Sequence, residues 1–256
     1  MLHRRLVQPT PKRPSPEMSR SQPLVPQLPL ALRFPPEQRL PTYLGGAPGM
    51  IERLHVLAAG GVSDALYLQG GQGSGKTHLL LGTCAAAEAA GRRPQYLSLA
   101  RVRMHARDAF EGLEHADLVA LDDLDAIAGA HDDEVALFDL HNRLHDAGVG
   151  LLYAATATPT MLEIALPDLR SRLAQCTLMP LRMLDDAGRA AVLRQRAASR
   201  GLVFEDAALD WLLTRCSRDL SDLTAMFEQI DHASLAAQRR ITVPFLRQVL
   251  SASQIL

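Results

Sequence analysis

The chain has 256 residues, of which 47% are hydrophobic and 21% charged, so it is long enough to bury one large core or two smaller ones. Its formal net charge is -1, which argues against a protein that wraps nucleic acid by bulk electrostatic attraction. Its three cysteines (Cys84, Cys176 and Cys216) are widely spaced, so we expect reduced thiols in a cytoplasmic protein. No apolar run approaches the roughly 20 residues of a membrane span, so we expect no membrane partner.

The N-terminal segment is rich in proline, and we predict a disordered tail over residues 1–40. Within it, the hexapeptide QLPLAL at residues 27–32 places leucines among prolines that exclude a helix. An extended peptide of this kind can present leucine side chains to an apolar pocket of a partner, with the glutamine bonding at the rim. The alternative interpretation is a low-complexity linker whose leucines are incidental.

From about Leu54 onward, short apolar runs alternate with segments of helical character. We predict strands at 64–69, 94–99, 116–125 and 150–156, with helices at 76–90 and 132–148. This alternation predicts an α/β fold over residues 41–180, with a parallel sheet flanked by helices.

After Pro180 the pattern changes to helices alone. Four helical segments follow at 185–201, 205–217, 219–238 and 242–252, and each begins with Asp, Glu or Thr, which favour a helix N-terminus. We therefore predict a small all-helical domain over residues 181–256.

A phosphate-binding loop lies between the first strand and the first helix. Glycines let several backbone N–H groups turn toward one anion, and the following helix adds its positive N-terminal end. Lys76 is expected to reach the terminal phosphates, and the Thr77 hydroxyl to bind Mg²⁺. The pattern G-x-x-x-x-G-K-[ST] is matched by Gly70, Gly71, Gln72, Gly73, Ser74, Gly75, Lys76 and Thr77.

Acidic residues follow the third predicted strand, where a P-loop ATPase needs them. Asp122 comes directly after a buried apolar run and is expected to hold the Mg²⁺ shell. Asp123 stands where many such ATPases carry a water-activating Glu, and its shorter side chain predicts slow hydrolysis. Asp125 is interpreted as a solvated helix cap.

His141 and His145 are spaced like metal ligands, but no third ligand is evident and we predict no metal there.

Four segments together resemble the DnaA branch of the AAA+ ATPases and, within it, the Hda family of regulatory inactivators of DnaA. They read GSGKTHLL, ALDDLDAIAG, LPDLRSRL and DHASLAAQRRITVPFLRQVL. The resemblance implies an AAA+ sheet followed by a helical lid. Few residues follow Leu250, so we expect none of the helix-turn-helix DNA reading of DnaA, and contact with DNA only through a sliding clamp.

The resemblance also implies roles for single residues. Arg172, in the sequence Ser-Arg-Leu, matches the arginine finger that acts on a neighbouring subunit's nucleotide. Thr156 falls at the sensor 1 position, with a plain strand-end threonine as the alternative. Ser221 stands where the family carries the sensor 2 arginine, and Arg218, one turn earlier, is the candidate substitute. The clamp-binding peptide of the family is matched by Gln27, Leu28, Leu30 and Leu32.

These roles imply a negative regulator of replication initiation. It would bind ADP or ATP with Mg²⁺, bind the DNA-loaded clamp, and stimulate hydrolysis of the ATP held by DnaA. A homo-oligomer is a further partner that these roles allow. Two alternatives stay open: an ATPase of the helicase-loader type that hydrolyses its own ATP, and a passive clamp-binding adaptor with a vestigial nucleotide site.

Overall fold

The computed structural model describes residues 34–35, 37–61, 64–215, 220–237 and 240–252. The predicted clamp-binding residues Gln27, Leu28, Leu30 and Leu32 lie outside these ranges, as does Arg218. From Phe34 onward the described chain belongs to a single structural unit.

A five-stranded parallel sheet occupies the first part of this unit, in the spatial order β2-β3-β4-β1-β5. The three inner strands are almost entirely buried, as their continuous apolar sequences indicate for a parallel sheet covered on both faces. The strands are β1 Leu66–Gln69, β2 Pro94–Ser98, β3 Leu118–Asp122, β4 Gly150–Ala155 and β5 Thr177–Pro180.

The helices cover both faces of the sheet and make up the C-terminal part of the chain. Short 3₁₀ turns lie before α1 (Leu40–Thr42), between α4 and β3 (Leu113–His115) and between β3 and α5 (Leu124–Ile127). None of the described helices is both long enough and apolar enough to cross a membrane. The helices are α1 Met50–Ala58, α2 Lys76–Ala89, α3 Leu99–Val102, α4 Ala106–Ala109, α5 His131–Asp146, α6 Pro167–Gln175, α7 Asp186–Ser199, α8 Asp206–Arg215, α9 Leu220–Ala237 and α10 Val243–Ala252.

All four predicted strands and both predicted helices of the sheet region are present, with ends that differ by a few residues. The edge strand β5 was not predicted. It has only four residues and ends in Pro180, a residue that strand patterns normally exclude. An edge position tolerates this proline, because one side of the strand makes no ladder hydrogen bonds.

Each face of the sheet has its own apolar core, because successive side chains of a strand point to opposite faces. On β1, Leu66 and Leu68 face the core with α1 and α2, whereas Tyr67 faces the core with α3–α6. The sheet is therefore held between two helical layers, and its loops at the carboxyl ends of the strands are left to form a site.

The segment before α1 packs on the same face as α2. Phe34 and Leu40, which the sequence prediction assigned to the tail, are buried in that core. A Cβ atom on Gly82 of α2 would lie 2.9 Å from the backbone nitrogen of Leu40. The small glycine therefore permits a close crossing, which brings Tyr43 to the phosphate-binding loop.

Helices α7–α10 form a third core of their own, as the helical pattern after Pro180 predicted. Its buried side chains include Leu193, Leu209, Phe227 and Leu246. A parallel bridge between Phe204 and Ile241 joins two of the connecting loops. The helices thus form a packed C-terminal layer.

Candidate functional site

The predicted phosphate-binding loop lies where the motif requires it, between β1 and α2. Its first residue is tied to the neighbouring strand, because the Gly70 N–H donates to the carbonyl oxygen of Ala155 at 3.1 Å. Gly73 and Gly75 have φ angles of 73° and 90°, which other residues adopt only with strain. The glycines therefore allow the turn that directs backbone N–H groups inward.

Lys76 lies folded over this loop. Its Nζ donates to the carbonyl oxygens of Gly70 at 2.7 Å and Gly71 at 3.0 Å. The positive charge predicted to meet phosphate is thus held at the loop itself.

Thr77 and Asp122 meet at the start of α2. The Thr77 hydroxyl donates to Asp122 Oδ2 at 2.6 Å, and the Tyr96 hydroxyl donates to the same oxygen at 3.0 Å. Burial raises the pKa of the Asp122 carboxyl, the neighbouring Asp123 adds to this, and the two hydrogen bonds oppose it. A hydroxyl beside a carboxylate is the kind of oxygen donor set that suits Mg²⁺.

Hydrogen bonds to neighbouring residues fix both the backbone and the side chain of Asp123. Its backbone is left-handed, with φ of 57°, and its N–H donates to Asp122 Oδ1 at 3.0 Å. Its carboxylate accepts a 2.7 Å hydrogen bond from Ser98 Oγ at the end of β2. The predicted water-activating group is therefore already engaged by a partner within the chain.

Asp125 is not the solvated helix cap that the sequence suggested. Its carboxylate accepts hydrogen bonds from both the backbone N–H of Thr156, at 2.9 Å, and the Thr156 hydroxyl. The prediction was wrong because its partner lies 31 residues away, at the end of β4. Since a hydroxyl has one hydrogen to donate, Thr156 donates to Asp125 and not to a ligand in this arrangement.

A cavity of about 880 Å³ opens beside the loop and extends to the C-terminal helices. The segment before α1 forms one wall, where His78 Nε2 donates to the carbonyl oxygen of Arg39 at 3.0 Å. Burial lowers the pKa of His78, which keeps its ring neutral. The cavity is lined by Glu37, Gln38, Thr42, Tyr43, Leu44, residues 72–78, Asp123, Thr156, Leu184, Val192, Gln195, Arg196, Ser199, Arg200 and Thr224.

Two arginines of this lining, Arg196 and Arg200, were missed by the sequence analysis. Arg200 Nη1 lies 2.6 Å from Asp231 and 2.7 Å from Glu228, and its Nη2 lies 2.5 Å from Glu37. These hydrogen bonds, first of all those with Glu228, raise the pKa of Arg200. The available signal was their spacing of four residues, which places both side chains on one helix face.

Arg172 lies on α6, outside the lining of this cavity. The buried side chains of Leu169 and Leu173 anchor the helix to the sheet, and Arg172 and Arg170 are exposed. A shallow pocket of about 320 Å³ beside them is lined by Thr160, Pro167, Arg170, Ser171 and Ala174. Arg172 is thus exposed and does not line the cavity beside the chain's own phosphate-binding loop.

His141 and His145 differ in their surroundings. His141 is buried on α5, with Nδ1 2.9 Å from the Tyr153 hydroxyl, whereas His145 is exposed one turn later. Burial, with added repulsion from Arg172 and His145, lowers the pKa of His141 to about 4. No cluster of three or more His, Cys, Asp or Glu side chains suitable for a metal occurs within the described ranges.

Solved structures of similar fold include DnaA proteins and a branch migration motor. Domain III of the replication initiation protein DnaA from Thermotoga maritima matches with a TM-score of 0.69 and 18% identity, over 86% of this chain and 98% of that one. AMPPCP-bound DnaA from Aquifex aeolicus matches with a TM-score of 0.62 and 20% identity, over 77% of this chain and 66% of that one. The Holliday junction branch migration motor RuvB from Thermotoga maritima matches with a TM-score of 0.61 and 16% identity, over 86% and 72%.

Two family models match separate parts of the chain. The model of the bacterial DnaA ATPase domain matches residues 55–179, which hold the loop, the sheet and the acidic strand end. The model of the Hda lid domain matches residues 186–250, which hold α7–α10. These matches confirm the resemblance inferred from the four sequence segments, and the chain belongs to the DnaA-like AAA+ family, with a lid domain of the Hda type.

Proposed function

We propose that this protein is a nucleotide-bound negative regulator of replication initiation that promotes hydrolysis of the ATP held by DnaA. The observation that carries the proposal is an Hda-type lid that follows a DnaA-like ATPase domain, in which Arg172 is exposed and does not line the chain's own cavity. In this proposal residues 1–40 are a clamp-binding tail, 41–180 the nucleotide-binding base and 181–256 the lid.

Binding of ADP or ATP is supported by the loop and the cavity beside it. Lys76 lies at the loop, and the Thr77 hydroxyl and Asp122 carboxylate, which lie 2.6 Å apart, would hold Mg²⁺ in this proposal. The volume of about 880 Å³ is within the range of ligand pockets. The similar Aquifex aeolicus DnaA is an AMPPCP-bound structure.

Weak hydrolysis of the protein's own nucleotide is supported by two hydrogen bonds. One oxygen of the Asp123 carboxylate accepts from Ser98, which leaves the other oxygen for water, and the Thr156 hydroxyl would have to release Asp125 before it could donate to a terminal phosphate. This arrangement favours a protein whose own nucleotide is structural over a helicase-loader type of motor.

Arg172 would act on the nucleotide of the partner. A guanidinium spreads its charge over phosphate oxygens as the bond to the terminal phosphate breaks, and such arginines raise rates by about 10³–10⁵ in other NTPases. Arg172 is on a helix whose Leu169 and Leu173 side chains are buried in the core. The backbone that carries Arg172 is therefore already fixed before the partner binds.

Three mixtures test the proposal: this protein alone, with ATP-bound DnaA, and with DnaA and clamp loaded on DNA. We expect ATP hydrolysis above the rate of DnaA itself only in the third mixture. Rapid hydrolysis by the protein alone would support the helicase-loader alternative, and no stimulation in any mixture would support the passive adaptor.

Arg172→Ala should abolish the stimulation in the third mixture while nucleotide binding stays at the wild-type level, because Arg172 does not line the cavity. Arg170→Ala is the matched control, because Arg170 is also an exposed arginine of α6 but projects from a different side of the helix, and it should keep most of the stimulation. Equal stimulation by wild type and Arg172→Ala would contradict the assignment.

The tail is tested in the same assay with a Gln27→Ala/Leu28→Ala double variant. Since the leucines would fill an apolar pocket of the clamp, the variant should lose retention on immobilised clamp. It should also lose stimulation while its nucleotide affinity is unchanged. Retention equal to that of wild type would contradict a clamp-binding role for this peptide.

A further inference from the structure

One face of α7 lines the cavity and carries two arginines with different partners. The face consists of Val192, Gln195, Arg196, Ser199 and Arg200, which recur every three or four residues along the helix. The opposite face, with Leu193 and Ala197, is buried in the core of the lid. The helix therefore presents two cations to the cavity from a fixed position.

Arg200 is fully engaged. It binds Glu37, Glu228 and Asp231, and it takes both carboxylate oxygens of Glu228 at 2.7 and 2.9 Å. Its guanidinium also lies 5.5 Å from the Phe227 ring. This arginine holds the lid together and has little capacity for a ligand.

Arg196 is left with much less. Its contact with Glu228 is 3.9 Å, beyond hydrogen-bonding distance, and no closer ion pair of Arg196 occurs within the described part of the chain. Its side chain is only 18% exposed, so a group with five donors is largely removed from water without close acceptors. A partly desolvated cation on a cavity wall shared with Lys76 is suited to bind an anion.

The position of Arg196 indicates which part of a nucleotide it would meet. The metal end of the site is marked by Thr77 and Asp122. Arg196 lies instead beside the carboxylate network of the segment before α1, since Glu228, 3.9 Å from Arg196, also binds Arg200, which binds Glu37 at 2.5 Å. Arg196, Glu37 and His78 line the same cavity. The His78 ring is fixed by the segment before α1, on the cavity wall formed by Gln38, Thr42 and Tyr43.

We propose that Arg196 is the cationic side chain through which the lid contacts the bound nucleotide. It would bind the phosphate nearest the nucleoside, which ADP and ATP share. This rests on the proposed function, in which the cavity holds a nucleotide. The terminal phosphates are then met by the loop and by the metal, and the lid responds to an occupied site without distinguishing ADP from ATP. The lid would thus be fixed against the nucleotide-binding base (residues 41–180) when ADP is bound as well as when ATP is bound.

The test is calorimetric titration of the full chain with ADP and with ATP, each with Mg²⁺. For Arg196→Ala we expect the Kd of both nucleotides to rise about tenfold, the usual weight of one charge-assisted hydrogen bond. The ratio of the two Kd values should stay within about twofold of the wild-type ratio. Arg196→Lys, which keeps the charge, should lose less for both nucleotides.

Arg194→Ala is the matched control, because Arg194 lies on the same helix, is exposed, pairs with Asp206 at 3.2 Å and does not line the cavity. It should bind both nucleotides as wild type does. The inference is overturned if Arg196→Ala weakens ATP alone, leaves both affinities unchanged, or loses no more than Arg194→Ala. If wild type binds neither nucleotide, the proposed nucleotide site itself fails and the inference with it.

Discussion

Gly75 lies where a second segment of the chain closes over the phosphate-binding loop. The Tyr43 hydroxyl donates to the carbonyl oxygen of Ser74 at 3.2 Å, and a Cβ atom on Gly75 would lie 2.7 Å from Tyr43 Cε2. The glycine thus meets two demands, a left-handed backbone and room for an aromatic ring. The motif predicts the first demand, and only the packing of Tyr43 reveals the second.

Gly75→Ala should therefore abolish measurable binding of ADP in a titration, because the added methyl group collides with Tyr43 and strains the loop. Gly91→Ala is the control: its φ is also positive, at 76°, but a Cβ atom there meets nothing within 4 Å. This control should lower the free energy of unfolding by only about 1 kcal/mol, from backbone strain, and keep its ADP affinity. Wild-type affinity in Gly75→Ala would contradict the requirement for close packing at the loop.

Sequence patterns predict single residues of the site only where the signal is local in the chain. The loop is recognised from the spacing of its motif, and Asp122 from the apolar run that it follows, because each of these signals spans only a few residues. The hydrogen bonds from Thr156 to Asp125 and from Ser98 to Asp123 join residues that are 31 and 25 apart in the chain. Their pairing depends on the order of strands in the sheet, which no local pattern states.

At the scale of an element, helix α5 buries one face against β4 and leaves the other in water. His141 is on the buried face, 7% exposed, beside Tyr153. His141 and His145 lie one turn apart with stacked rings whose centroids are 6.5 Å apart, but only the His141 side chain is buried. Burial of the first histidine has a consequence for stability.

The pKa of His141 is lowered to about 4 in the fold, whereas an unfolded histidine titrates near 6.5. Between these values the unfolded chain binds a proton that the folded chain does not, so the free energy of unfolding falls as pH decreases through this window. In His141→Gln the loss of stability between pH 7.5 and pH 5, measured by urea unfolding, should be smaller by about 1–2 kcal/mol.

His55→Gln is the control for this pH effect, because the His55 side chain is exposed and meets water in both states. It should show the same loss between the two pH values as wild type. If His141→Gln shows that loss too, the histidine is not buried in its neutral form.

Element boundaries follow the same rule of locality. The long apolar runs of β3 and β4 and the Ala-rich α2 are found from sequence because each carries its own periodicity. The four-residue β5 has too little pattern, and it is defined by its pairing with β1, from Leu66 with Thr177 to Gln69 with Pro180.

For the whole molecule, Arg200 links the segment before α1 to two positions on α9. Its side chain is 23% exposed, and three carboxylates converge on it. Removal of the cation would leave these like charges close together, which costs more than the loss of one surface ion pair. The network therefore contributes to holding the lid beside the sheet.

Arg200→Ala should lower the free energy of unfolding by about 2 kcal/mol, a value reduced from that of a buried pair because water reaches part of the side chain. Arg194→Ala breaks an exposed pair on the same helix and should cost less than about 1 kcal/mol. Urea unfolding at low and high salt measures both changes. Equal losses in the two variants would show that the network adds nothing beyond an ordinary surface contact.

The sequence by itself determined the class of fold, the family and the position of the glycine-rich loop between β1 and α2, because these signals are local in the chain. The tertiary structure decided that Arg172 lies outside the chain's own cavity, that Asp123 and Thr156 are held by Ser98 and Asp125, and that Arg196 faces the site. The physical reason is that charge, burial and hydrogen bonding at a site depend on neighbours in space. These neighbours come from strands and helices that are far apart in sequence.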